Sequence, residues 1–226
     1  MSRLDLSKLS VPDARLVQHG LKALGFYEGT TRGLPGPKTG AAYEAYLASF
    51  ANVPGGSTPE ERPAEGAALA RRLVEILRAE VGVREVPRNS NRGPRVEEYQ
   101  RATWLPGTSW PWCAAFVCWG VLQLEKEFKL PFARPRTAGA WDFERWAREQ
   151  GVRLFKPRGT VKAGDIVVFT FSHIGVAIED QRGTSVRTVE GNTDEAGSRE
   201  GGGVYEKTRA LSLVRSHIRL ELASGR

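Results

Sequence analysis

The segment Trp110-Pro111-Trp112-Cys113-Ala114-Ala115-Phe116-Val117-Cys118-Trp119 places one cysteine just after a proline turn and at the start of an apolar helix. Unpaired backbone N–H groups and the positive end of the helix dipole favour a thiolate at such a position, and the thiolate is the nucleophilic form. Cys113 therefore has the address of a nucleophile. Cys118 lies inside the same apolar run and reads as packing. Five residues along a helix turn the two side chains away from each other, so they are poorly placed to form a disulfide.

A cysteine nucleophile needs an imidazole that takes its proton and later returns one to the leaving amine. The chain has three histidines. His19 lies in the N-terminal part, and His217 lies in a late strand where packing or surface placement is the better reading. His173, in Phe171-Ser172-His173-Ile174-Gly175-Val176, stands at the beginning of a strand in the same half as Cys113. An imidazole base also needs its second nitrogen fixed by an acceptor. Val189-Glu190-Gly191-Asn192-Thr193, at the end of the next strand, offers two: Glu190 or Asn192. Two residues apart on an extended chain, they project to one face and both can line the site.

The elements that position these residues read as helices first and strands later. Leu69, Leu73, Ile76 and Leu77 mark one side of a helix from Ala67 to Val81, ended by Gly82, and Val96 to Ala102 reads as a short helix. From Val161 onward, Ile166–Phe169, Ile174–Ile178, Val186–Val189 and Leu213–Leu220 are β-prone runs separated by turn residues, which predicts an antiparallel sheet built by hairpins. The domain is α+β. Ahead of it, residues 53–66 are rich in Pro, Gly and Ser and read as a linker, which leaves a small all-α domain over 1–52 and a larger domain over 67–226.

The formal charge of +7 favours an acidic polymer as partner. The basic residues are scattered and form no nucleic-acid-binding motif, so no nucleic acid is expected. No run approaches the ~20 apolar residues that span a bilayer, and no stable membrane insertion is expected. The first ten residues contain no apolar stretch of the signal-peptide kind, so synthesis in the cytoplasm is expected. No His-x-x-x-His or Cys-x-x-Cys spacing occurs, and neither a metal nor another cofactor is expected. Nothing points beyond a monomer.

Two resemblances join these readings. Leu-Lys-Ala-Leu-Gly-Phe-Tyr-Glu-Gly, followed by Arg-Gly-Leu-Pro-Gly-Pro-Lys-Thr-Gly-Ala-Ala, resembles the small helical peptidoglycan-binding domain over roughly residues 11 to 50. Pro111-Trp112-Cys113-Ala114-Ala115-Phe116-Val117, Ala163-Gly164-Asp165-Ile166-Val167-Val168-Phe169, Ser172-His173-Ile174-Gly175-Val176 and Glu190-Gly191-Asn192 together resemble the CHAP family. This is a papain-like group within the NlpC/P60 superfamily, and the likeness runs over about residues 68 to 220. It implies Cys113 as nucleophile, His173 as general base, Glu190 as the group orienting it and Asn192 as a further site residue. Some relatives carry an aspartate-rich calcium loop ahead of the cysteine. Thr103 to Trp112 contains no acidic residue, so no calcium is expected there.

The function implied is hydrolysis of an amide in bacterial peptidoglycan, with a tetrahedral oxyanion held by backbone N–H groups near Cys113. Trp104, Trp110 and Trp112 are expected to line a groove for sugar or stem peptide, because rings offer broad faces with one polar edge. Trp141 and Trp146, five apart in a predicted helix, read equally well as core or as groove. Two bonds fit: the amide between N-acetylmuramic acid and L-alanine, and one inside the stem or cross-bridge peptide. A phage endolysin released by a holin and an effector delivered by a secretion machine both suit the expected lack of a signal peptide. A non-catalytic wall-binding protein and a protein-directed cysteine protease or transferase are the rival classes. The intact Cys, His and Glu set argues against the first, and the wall-binding resemblance against the second.

Overall fold

The computed structural model describes residues 6–51, 61–157 and 159–222, and the chain divides into two units, Met1–Ala64 and Glu65–Arg226. In the first unit, Ser10 caps helix α1 (Val11–Ala23) by accepting the Asp13 N–H, and α2 (Pro37–Ala51) packs against it. Leu21, Tyr27 and Ala42 form the centre of this contact, with Val17, Phe26 and Tyr46 around them. The loop between the helices is fastened by the buried Gln18. Its Nε2 donates to Leu34 O and Thr39 Oγ1, and its Oε1 accepts the Gly33 N–H. One polar side chain thus satisfies loop groups that would otherwise be buried without partners.

Helix α3 (Glu61–Arg78) opens at Glu61 rather than Ala67, so the latter part of the expected linker is helical, and 52–60 lie outside the described residues. Glu61, Ala64 and Glu65 are helix-forming types, and Pro63 sits in the first turn, where its missing N–H forfeits no hydrogen bond. The second unit continues with α4 (Pro94–Arg101), α5 (Cys113–Glu127) and α6 (Asp142–Glu149). Six strands follow: β1 (Val152–Phe155), β2 (Ile166–Phe169), β3 (Ile174–Ala177), β4 (Ser185–Thr193), β5 (Gly203–Ala210) and β6 (Val214–Leu222). The domain is α+β, as its sequence pattern indicates.

Strand order is β1-β6-β2-β3-β4-β5, and every pairing is antiparallel. β2 to β5 are successive neighbours, while β6 returns to lie between β1 and β2. Leu73 and Leu77 of α3 meet the wholly buried Phe116, Val117, Val121 and Leu124 of α5, and α5 packs on β3 and β4. Each such side chain contributes roughly 1.5–3 kcal/mol on burial. Ile166 and Val168 face that core, while Val167 and Phe169 join a second cluster with Val161, Ala177, Val186 and Val214. β2 is therefore covered on both faces, which is why it reads as an unbroken apolar run. Among the described residues no helix is long and apolar enough to cross a membrane.

Candidate active site

Cys113 is the first residue of α5, and Trp112 precedes it with a non-helical backbone and no side-chain cap. Phe116 N donates to Trp112 O at 2.9 Å, which closes the first turn. The N–H groups of Cys113, Ala114 and Ala115 come before the first i−4 acceptor, so helix geometry leaves them available to an oxyanion. Cys113 retains 7% exposure while Cys118 has none. Cys118 directs its Sγ at Thr137 O, and burial pushes its thiol up to about 12, an inert packing residue.

The strands bring His173 and Glu190 together. Nε2 of His173 lies 3.0 Å from Glu190 Oε2. The carboxylate can only accept, so Nε2 carries the proton and Nδ1 is left for the thiol. Nδ1 is buried without a hydrogen-bond partner, and Cys113 is the other group that acts on this imidazole. Burial works against an imidazolium here, but Cys113 and Glu190 outweigh it and raise His173 to about 9. Such a cation beside Cys113 favours thiolate. Phe171 lies nearly parallel to the imidazole at 5.7 Å between centroids, which limits its rotation.

Glu190 is wholly buried and satisfied on both oxygens. Oε1 accepts from Thr188 Oγ1 at 2.6 Å and Arg209 Nε at 3.0 Å, and Oε2 from His173 and from Arg209 Nη2 at 2.6 Å. Burial would raise its pKa, but the hydrogen bonds and charges of His173 and Arg209 prevail and lower it to about 2. Sequence reasoning missed Thr188 and Arg209. Neither stands in a motif, and Arg209 lies on a strand whose pattern is weak.

Asn192 sits at an irregularity of β4. The β4–β5 register shifts between Glu190 and Thr193, and Asn192 has φ +57°, so the two-residue alternation fails there. Its Oδ1 accepts the Trp112 N–H at 2.8 Å, and its Nδ2 donates to Gly201 O at 3.0 Å and Asn91 Oδ1 at 3.1 Å. It holds the turn before Cys113.

Trp112 does not line a groove. It is fully buried against Tyr99 and Phe116, and its Nε1 donates to Glu85 Oε1 at 2.9 Å. Gly191 makes room for it, since a Cβ there would stand 2.7 Å from the indole. Trp104 is 64% exposed, and Trp110 is half-buried with Nε1 on Gly107 O. Trp146 is in the core. Trp141, the residue before α6, is 44% exposed with Nε1 on Phe169 O, at the foot of the turn that presents His173. Among the described residues no three His, Cys, Asp or Glu side chains converge as metal ligands.

Residues 105–192 match the family described as CHAP domain, a stretch that contains Cys113, His173, Glu190 and Asn192. The chain carries a CHAP domain. CHAP domains form a papain-like family of peptidoglycan-hydrolysing amidases and peptidases, and the match supports a hydrolase of that kind. Arg209 lies outside the matched stretch of the CHAP domain. No curated protein matches the chain.

Proposed function

We propose that the CHAP domain cuts an amide bond of bacterial peptidoglycan by covalent catalysis at Cys113. The observation that carries this reading is the buried line Arg209, Glu190, His173, which ends on Cys113 at the start of α5. The thiolate attacks the amide carbonyl, and the oxyanion is held by the N–H groups of the first turn of α5. The tetrahedral adduct collapses to a thioester as the leaving amine takes the proton from Nδ1 of His173. Neutral His173 then deprotonates the water that hydrolyses the thioester, and the pair is restored. Glu190 holds the imidazole in its tautomer and orientation throughout.

Trp104, Trp110 and Trp141 are the exposed or half-exposed rings that suit a groove for glycan or stem peptide. Either the N-acetylmuramoyl-L-alanine amide or a stem or cross-bridge peptide bond is the target. The first unit serves as the wall-binding part, and a charge of +7 favours attachment to an anionic wall. The setting that fits is a bacteriolytic enzyme of the phage endolysin kind.

The test is digestion of purified peptidoglycan from several bacteria by the native chain and by Cys113→Ala, followed by turbidity and mass spectrometry of released groups. Clearing by the native chain alone, with new amino termini, supports the proposal, and the fragment masses name the bond. Binding by both chains with release by neither removes the catalytic assignment and leaves a wall-binding protein.

A further inference from the structure

Arg209 reaches Glu190 from β5 in a two-pronged contact, Nε to Oε1 at 3.0 Å and Nη2 to Oε2 at 2.6 Å. Its side chain is only 11% exposed, its Nη1 donates to Gly197 O at 3.0 Å, and the guanidinium lies 5.4 Å from the centre of Phe171, the ring beside His173. A fork of this kind fixes a carboxylate in direction as well as in charge. A wholly buried carboxyl left to one imidazole and one hydroxyl would take up a proton far more readily. The charged groups acting on Glu190 are His173, the residue before β3, and Arg209 from β5, and those acting on His173 are Cys113 from α5 and Glu190 from β4.

We infer that Arg209 is a positioning residue of this site: by holding Glu190 as an anion in fixed orientation it keeps the Nε2 proton of His173 engaged and turns Nδ1 to Cys113. The inference rests on the reading of Cys113 and His173 as the reacting pair. Without Arg209, Glu190 protonates as the medium becomes acidic, and a neutral carboxyl no longer supports the imidazolium that stabilises the thiolate. The acid limb of thiolate formation then moves to higher pH.

The same domain supplies a control. Arg219 grips Asp165 with Nε–Oδ1 and Nη2–Oδ2 both at 2.8 Å, and Asp165 in turn holds Nδ1 of the buried His217 at 2.9 Å. His217 also stacks on a phenylalanine, Phe155, at 4.8 Å. Cys113 acts on His173 and Cys118 Sγ lies against Thr137 O, so both cysteines have their neighbours elsewhere, and this second set of arginine, carboxylate and histidine serves as the comparison.

The experiment measures the rate of Cys113 alkylation by iodoacetamide against pH in the full chain, with the modified residue identified by mass spectrometry. Cys118, buried and held up at about 12, stays unlabelled in the folded protein. Arg209→Gln is expected to move the acid limb up by about one pH unit or more, which is about a tenfold slower reaction within the limb. Arg209→Lys keeps the charge without the fork and is expected to give a smaller shift in the same direction. Arg219→Gln is expected to lower the melting temperature and leave the limb in place. An Arg209→Gln profile that superposes on the native one overturns the inference; where that variant does not fold, an unshifted Arg209→Lys profile does so. A native chain whose Cys113 is alkylated no faster than a thiol of the unfolded chain at the same pH brings down the Cys113–His173 reading itself, and the inference with it.

Discussion

Asn192 Oδ1 accepts the backbone N–H of Trp112 at 2.8 Å, a bond that ties the end of β4 to the residue before Cys113. The same side chain donates from Nδ2 to Gly201 O, Asn91 Oδ1 and, at 3.4 Å, Glu85 Oε1. An amide is required because one atom must accept while the other donates. Asn192→Asp keeps the acceptor and sets a carboxylate oxygen against three acceptors, one of them the Glu85 carboxylate. Asn192→Ala leaves the Trp112 N–H unpaired at a cost of about 1–3 kcal/mol. Both variants are expected to lose about tenfold or more in wall clearing, with Asn192→Asp the less stable in thermal unfolding. An Asn192→Asp chain as stable as the native one would show that Nδ2 does not donate here.

Trp112 and Trp141 separate a packing tryptophan from one that can meet substrate. Trp112→Phe retains a buried ring but takes the donor away from Glu85 Oε1, and is expected to cost about 1–3 kcal/mol of stability. Trp141→Ala removes a ring that is 44% exposed, and is expected to slow wall solubilisation several-fold while Cys113 alkylation by a small reagent proceeds at the native rate. Equal slowing of both reactions would assign Trp141 to the support of the His173 turn instead of the groove.

Cys113, His173 and Glu190 were legible because each carries a local signal: a cysteine opening an apolar helix, a histidine entering a strand, an acid leaving one. The long apolar stripe of α3 and the unbroken run of β2 were legible for the same kind of reason. β5 was not, because beyond Gly203 and Val204 its residues are half-exposed or exposed and mix Glu206, Lys207 and Arg209, so no alternation marks it. Arg209 was lost with it, since its role exists only through the pairing of β4 and β5. The register shift of β4 at Asn192 carries no mark in the residues themselves, and residue type alone could not tell that Trp112 is buried.

Gly175 sits beside the orienting carboxylate. A Cβ at this position would come 2.6 Å from Glu190 Cγ and 2.9 Å from Val189 O. The carbonyl is backbone, and Glu190 is held at both oxygens, so neither neighbour can give way cheaply. Gly175→Ala is expected to destabilise the domain by about 1–3 kcal/mol and to slow Cys113 alkylation, because the overpacking displaces Glu190 from His173. A Gly175→Ala chain with native stability and native alkylation would mean that Glu190 has slack the distances do not suggest.

Stability should also follow the pair His173 and Glu190 through pH. Glu190 lies at about 2, below its ordinary 4.5, so the folded state holds fewer protons, and this contribution is full above 4.5 and lost as pH falls toward 2. His173 lies at about 9, above its ordinary 6.5, so its contribution is full below 6.5 and lost as pH rises through 9. The two windows overlap between 4.5 and 6.5. There the pair is worth on the order of a few kcal/mol, counted once because both shifts include the same interaction. Glu190→Gln removes the acidic arm and one of the two supports of the imidazolium. In urea unfolding from acid to alkaline pH, the difference between native and Glu190→Gln chains should be widest in that window and shrink on either side. A difference that stays constant across pH would mean that Glu190 acts in the folded state as a neutral group.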